Sequence, residues 1–216
     1  MLIKMNASKK ISAIIFDCDG VMFDSRQANI RFYNHLLNHF GLPPMTEDKW
    51  DFVHMHTADE SVGYIFHGSP FLEEAQAYRV VVDYTPFIKD MVMEPGLKEL
   101  LELLKPRFGL AVATNRSTTI RKVLEWNGLE KYFDMVVSSL DVTNPKPHPE
   151  SLFKIFAFFR IHSDQAFYVG DSSVDYETAK AADTPFIAYK NRALKADHHA
   201  DHLMDIAREV LRLSIS

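Results

Sequence analysis

Cysteine is almost absent from this chain of 216 residues. The one at position 18 leaves no intrachain partner for a disulfide and no set of thiolates for a zinc site. Long apolar runs are absent too. None approaches membrane-spanning length and the N-terminus carries no apolar signal segment, so a cytoplasmic protein with no membrane partner is the expectation. No basic arm or patch stands out; the net charge is −5 with both signs mixed along the chain, which argues against nucleic acid as a partner. Neither Gly-x-x-x-x-Gly-Lys nor Gly-x-Gly-x-x-Gly occurs, so the common ATP-binding and dinucleotide-binding loops are excluded. There are no internal repeats and no low-complexity segments. Apolar residues make up 47% of the chain, enough for a sizeable core in one domain or one domain with an insertion.

What is present is concentrated at Ile14-Ile15-Phe16-Asp17-Cys18-Asp19-Gly20. An apolar run that stops at turn chemistry reads as a buried strand ending in a loop. Two carboxylates one residue apart repel each other, and a hard divalent cation is the best reason to hold them there. Mg2+ takes oxygen ligands and is often held by one or two carboxylates plus substrate phosphate. Cys18 between them reads as packing rather than as a reactive thiol.

Along the chain, residues 11–16 read as a first strand and 26–40 as a helix, stopped at Gly41-Leu42-Pro43-Pro44. Helices from Thr46 to Met55, Ala58 to Phe66 and Leu72 to Tyr84 complete an all-helical block of four. After Pro95-Gly96 the pattern changes. Helix 97–104, strand 109–113, a helix to Trp126, strand 135–138, helix 152–159, strand 166–169, helix 174–182 and strand 185–189 alternate. Alternation predicts an α/β fold: a Rossmann-like parallel sheet flanked by helices. Such sheets bind ligands beyond the carboxyl ends of their strands. Those ends carry Asp17 and Asp19, Thr114 and Asn115, the loop Asn144-Pro145-Lys146-Pro147-His148-Pro149, and Asp171 with Asp175.

With these residues in place, the chain resembles the haloacid dehalogenase-like hydrolases, in the phosphatase branch that includes phosphoglycolate phosphatases and is akin to beta-phosphoglucomutase. Four ordered segments carry the resemblance: Asp17-Cys18-Asp19-Gly20-Val21 with Asp24-Ser25, Ala113-Thr114-Asn115, Lys146-Pro147-His148-Pro149, and Gly170-Asp171-Ser172-Ser173-Val174-Asp175. Each is weak alone; together and in order they are specific. The resemblance implies a catalytic core at 1–25 and 91–216 and an inserted helical cap at 26–90. It implies a Mg2+-dependent phosphatase for a small phosphorylated metabolite, working as a monomer or homodimer. Asp17 would be the nucleophile. Asp19 would be the general acid and base. Thr114 and the Asn115 amide would hold phosphate, and Lys146 would supply fixed positive charge. Mg2+ would be bound by Asp17, the Asp19 carbonyl and Asp171, with Asp175 acting through a metal-bound water or by orienting Lys146. The dehalogenases need no acid at the position of Asp19, because halide leaves unprotonated; Asp19 therefore favours a phosphate ester. Cap hinges are expected near 24–26 and 91–96.

Several positions depart from the family pattern or stay open. Asp183 stands where the helix after the fourth segment usually ends in glycine. Arg116 follows Thr114-Asn115 where lysine is common; it reads equally as substrate-facing or as a solvated helix start. His54 and His56 fall in the cap's specificity loop, where either could meet the leaving group; their spacing is poor for metal. His198, His199 and His202 read as a surface turn, and Phe153, Phe156, Phe158 and Phe159 as core. A phosphomutase is the alternative, although the mutases carry a cap histidine where this chain has Asn29. A phospho-receiver module lacks the cap and the late Gly-Asp segment. Phosphonate cleavage would need a cap lysine such as Lys49.

Overall fold

The computed structural model describes residues 10–213; residues 1–9 and 214–216, which the expected core segments include, lie outside the described residues. Strand β1 (Ala13–Phe16) is followed by the two-residue strand β2 (Phe23–Asp24). A helical stretch comes next: α1 (Arg26–His39), a single 3-10 turn at Glu47–Lys49, α2 (Trp50–Met55), α3 (Ala58–Ile65), α4 (Leu72–Val81) and α5 (Thr85–Ile88). The chain returns through β3 (Val92–Met93). It then alternates through α6 (Leu97–Leu104), β4 (Gly109–Ala113), α7 (Thr119–Trp126), β5 (Met135–Val137), α8 (Glu150–Phe159), β6 (Ala166–Gly170), α9 (Ser173–Ala181) and β7 (Phe186–Tyr189). It closes with β8 (His198–Ala200), the short α10 (Leu203–Asp205) and a π-helical turn at Ile206–Val210.

The sheet has the order β5-β4-β1-β6-β7-β8 and all its pairs are parallel. Strands β1, β4, β6 and β7 are apolar without alternation because both faces are covered, whereas the edge strand β8 carries His198 and His199. In β1, Ile14 and Phe16 pack into one core cluster, and Ala13 and Ile15 into the other. After β1 the chain builds outward on one side, then returns to build β6 to β8 on the other. The carboxyl ends of β4, β1 and β6 therefore sit at a topological switch point, where doubly wound sheets leave a crevice.

Local chemistry sets several helix boundaries. Thr57 and Glu60 form a reciprocal capping box at the start of α3, and Ser172 with Asp175 does the same for α9. Helix α6 buries Leu97, Leu100, Leu101 and Leu104 along one stripe. Asp183 adopts a left-handed φ of 51° just beyond α9, the conformation a glycine would take at little strain.

Three expectations need correction. The helix expected over 72–84 breaks after Val81, and α5 begins anew with Pro86 in its first turn, where a missing N–H does no harm. The helical block thus has five α-helices. Residues 198–200 form β8 rather than a turn, because Ile187, Ala188 and Tyr189 offer a free edge that pairs with His198, His199 and Ala200. Of the four phenylalanines in α8, Phe156 is buried and Phe159 packs at the core edge, whereas Phe153 and Phe158 are about half exposed. Beside these, β2 and β3 pair antiparallel, so the two segments expected as hinges lie side by side as one ribbon at the base of the helical block.

Candidate active site

Asp17 leaves β1 with its backbone N–H donating to Val169 of β6 at 2.9 Å, which fixes the carboxylate above the central strands. Its Oδ1 lies 2.8 Å from Lys146 Nζ, an ion pair without hydrogen-bond alignment. Lys146 also donates to Asp175 Oδ1 at 2.6 Å and to Tyr168 Oη at 2.9 Å. Asp175 is fully buried and saturated: Tyr168 Oη and Ser172 Oγ each donate to it at 2.6 Å, and the Ser172 N–H donates at 3.2 Å. Of the two roles open to Asp175, this geometry is the one that orients Lys146. The Lys146 backbone is clamped in turn by Asn115, whose side chain accepts from the Lys146 N–H and donates to its carbonyl, both at 3.1 Å. Thr114 is buried at the end of β4, its Oγ1 accepting from the Arg116 N–H at 3.1 Å.

Asp17, Asp171 and Asp175 each place a carboxylate oxygen within 4.8 Å of the other two. Gly20, at a φ of +80°, lies directly under Asp171: a Cβ there would fall 2.1 Å from Asp171 Oδ2. Burial drives the Asp17 carboxyl up to about 7; Lys146 opposes the shift, and Asp175 and Asp19 add to it. Burial, with Asp175 and Asp17 beside it, likewise pushes Asp171 well above the ordinary carboxylate range. Crowded, buried oxygen donors of one sign fit a hard divalent cation such as Mg2+. Asp17 and Asp171 fit it best, because the oxygens of Asp175 already have protein donors.

Asp19 is arranged differently. Its carboxylate lies outside that cluster and is gripped by Arg116, with Nε donating to Oδ2 at 2.8 Å and Nη2 to Oδ1 at 2.6 Å. Ser25 Oγ donates to the same carboxylate. Burial opposes its charge, yet the Arg116 guanidinium and these hydrogen bonds outweigh burial and hold Asp19 below its usual value. Arg116 is therefore no solvated helix start. Its side chain is 7% exposed, its Nη1 donates to Thr119 and its Nη2 to Asn29, both at 3.2 Å, and its guanidinium lies 5.2 Å from the centre of the Tyr84 ring.

Both cap histidines of the sequence reading line the same cavity of about 200 Å³ that holds Asp17, Asp19, Thr114, Arg116, Lys146 and Asp171. His54 Nδ1 is 3.3 Å from the Asn29 amide, and burial lowers its pKa against the pull of Asp19. His56 stacks on Phe52 at 3.9 Å, with Nδ1 2.9 Å from the Phe52 carbonyl. Lys49 instead lies 5.8 Å from the centre of the Tyr64 ring; among the described residues Lys146 is the lysine that lines the cavity. Cys18 is buried in the core, and burial raises its thiol well above the usual value, as suits a packing residue.

Sequence reasoning passed over Tyr168, Tyr84 and Arg79, and gave Ser25 no role beyond its place in the first segment. Tyr168 reads as an ordinary strand aromatic; only a fold that turns its hydroxyl toward Asp175 shows otherwise. Arg79 lines the cavity from α4, which the sequence marks only as one more charge on a helix.

A profile of the haloacid dehalogenase-like hydrolases matches residues 14–189. A phosphorylated carbohydrates phosphatase from Thermotoga maritima is 30% identical over 80% of this chain and 82% of its own length. Pyrophosphatase PpaX of Bacillus cereus is 25% identical over 94% of this chain and 95% of its own. The crystal structure of a subfamily IA hydrolase of that superfamily from Geobacter sulfurreducens superposes with a TM-score of 0.81 at 40% identity, covering 91% of this chain and 97% of that one. Six parallel strands, acids and a lysine gathered at their carboxyl ends, and these likenesses lead to one statement: the chain belongs to the haloacid dehalogenase-like hydrolase family.

Proposed function

We propose that the protein is a Mg2+-dependent phosphatase that hydrolyses a small phosphorylated metabolite through an aspartyl-phosphate on Asp17. The observation that carries this reading is the convergence of buried Asp17, Lys146 and Asp175 with half-buried Asp171 at the switch point of the sheet.

Asp17 attacks phosphorus with a carboxylate oxygen as the bond to the leaving oxygen breaks. Asp19, protonated once it leaves Arg116, gives that oxygen its proton, then takes one from the water that cleaves the acyl phosphate. Carboxylate and phosphate repel: at ~4 Å and an effective dielectric of ~20, one pair of unit charges costs about 4 kcal/mol. Lys146, fixed by Asp175 and Tyr168, offsets part of this beside Asp17. Mg2+, held by Asp17, Asp171 and the Asp19 carbonyl, would supply the further positive charge at the phosphate. Thr114 and the Asn115 amide hold phosphate oxygens. Residues 26–90 serve as a cap over a core formed by the rest of the chain, hinged at the β2–β3 ribbon, with His54 and His56 facing the leaving group. A cytoplasmic location goes with this reading.

Phosphate release from a panel of small phosphate esters, with Mg2+ and with EDTA, tests it. Release that EDTA stops and Mg2+ restores is the expected result. An isomeric ester formed in place of free phosphate would make the protein a mutase, and no reaction with any ester would remove the phosphatase reading.

A further inference from the structure

We propose that Arg116 is the receptor for a second anionic group, carboxylate or phosphoryl, on the leaving part of the substrate, and so determines which phosphate esters are accepted. The proposal rests on the phosphatase reading above and deepens it.

The argument begins with what the guanidinium already holds. Its planar fork grips the two oxygens of Asp19 at 2.8 and 2.6 Å, the bidentate geometry that arginine offers to any carboxylate or phosphate. Asp19 is thus a built-in stand-in for an anion in the wall of the cavity. Its Oδ1 is also engaged by Ser25, so both of its oxygens face partners other than a substrate. To reach a leaving oxygen, Asp19 has to let go of Arg116. The guanidinium then keeps the Asn29 carbonyl and the Thr119 hydroxyl, both at 3.2 Å, and the Tyr84 ring. Those neutral groups orient it but do not balance its charge. A nearly buried cation stripped of its partner is strongly unfavourable.

An anion on the leaving group would fill that place as Asp19 departs, whereas a neutral leaving group would leave Arg116 clamped on Asp19. The surroundings agree. Lys146 is fully engaged with Asp17, Asp175 and Tyr168. Arg79, a second guanidinium in the cavity wall, donates to Gln76 at 2.5 Å and has its ion pair with Asp59, whose side chain is 73% exposed. Tyr84 backs the Arg116 guanidinium with its ring face and limits where the fork can turn.

The test is equilibrium binding by calorimetry in excess Mg2+, with unreactive probes. Phosphonoacetate carries a carboxylate as its second anion, phosphonoacetamide is its neutral counterpart, and methylenebisphosphonate carries a phosphoryl group. The wild type is expected to bind phosphonoacetate or methylenebisphosphonate about 10- to 100-fold more tightly than phosphonoacetamide, the range of a charged hydrogen bond. Whichever is favoured names the second anion. Arg116→Gln should bring the ratio to within about threefold of unity, and Arg116→Lys, which keeps the charge but loses the fork, should fall between. A wild-type ratio near unity overturns the proposal, as does a ratio that Arg116→Gln leaves unchanged. If Arg116→Gln does not fold, an unchanged ratio in Arg116→Lys overturns it equally. Phosphate release together with an Arg116-independent ratio removes this proposal alone. Absence of phosphate release from every ester removes the phosphatase reading and this proposal with it.

Discussion

The two ends of the cavity are built on different plans. On the sheet side, Lys146 and Asp175 are locked by short bonds to each other, to Tyr168 and to Ser172, and the side chains of the Lys146–Asp175 pair are 3% and 0% exposed. On the helical side, Asn29 meets His54, Tyr84 and, reaching up from the loop after β4, Arg116 through contacts of 3.2 to 3.3 Å, and Arg79 pairs with a carboxylate in water. A rigid end can hold charges against their mutual repulsion before substrate arrives. A loosely bonded end can exchange partners, as selection among leaving groups requires. Asp19 sits between the two, on the rigid strand end but bonded toward the loose side.

The sharpest way to break this contrast is at Asp17. Asp17→Asn keeps the shape and removes the nucleophile, so phosphate release should fall by at least about 10⁴-fold while the thermal melt stays cooperative; comparable activity would remove the assignment. The next effect is on stability. Lys146→Met strands Asp17 and Asp175 as buried charges and should cost about 3–5 kcal/mol in urea unfolding. Arg79→Ala breaks a pair with an exposed partner and should cost less than about 1 kcal/mol. Equal losses would erase the distinction between the ends.

A smaller effect concerns pH. The Asp17 carboxyl is raised to about 7 from a usual value of 3.8, so the folded state binds a proton that the unfolded state has lost. This group's contribution to stability is therefore full at low pH and is lost as pH rises through about 7. A cation relieves the same crowding, so Mg2+ should raise Tm more at pH 8 than at pH 5. An equal increment at both would contradict the electrostatic account. The mildest change is expected at His54 and His56. Alanine at both should raise KM by about 3- to 10-fold, in the range of neutral hydrogen bonds, with kcat within about twofold. Unchanged KM and substrate preference would remove them from substrate contact.

How far this molecule could be read from its sequence depends on the range over which each feature is encoded. The parallel sheet and the acids at its strand ends are local: an apolar run into Asp17-Cys18-Asp19-Gly20, or into Gly170-Asp171, carries strand, stop and ligand within a few residues. The partner of Arg116 is not local, since Asp19 lies 97 residues away and nothing in Thr114-Asn115-Arg116 says which way a long side chain turns. Tyr168 shows the same limit inside a strand, where packing and hydrogen bonding call for the same residue. Strand β8 was hidden because an edge strand needs pairing on one side only, and His198-His199 lacks the apolar pattern. The β2–β3 ribbon has two residues per strand, too few for any period to register.

The most direct measurement is intact-mass analysis of the enzyme acid-quenched during turnover of a phosphate ester with Mg2+, followed by peptide mapping. The account expects one phosphoryl group per chain, carried on Asp17 and absent from Asp17→Asn. Steady phosphate release with the phosphoryl group on another residue would contradict it.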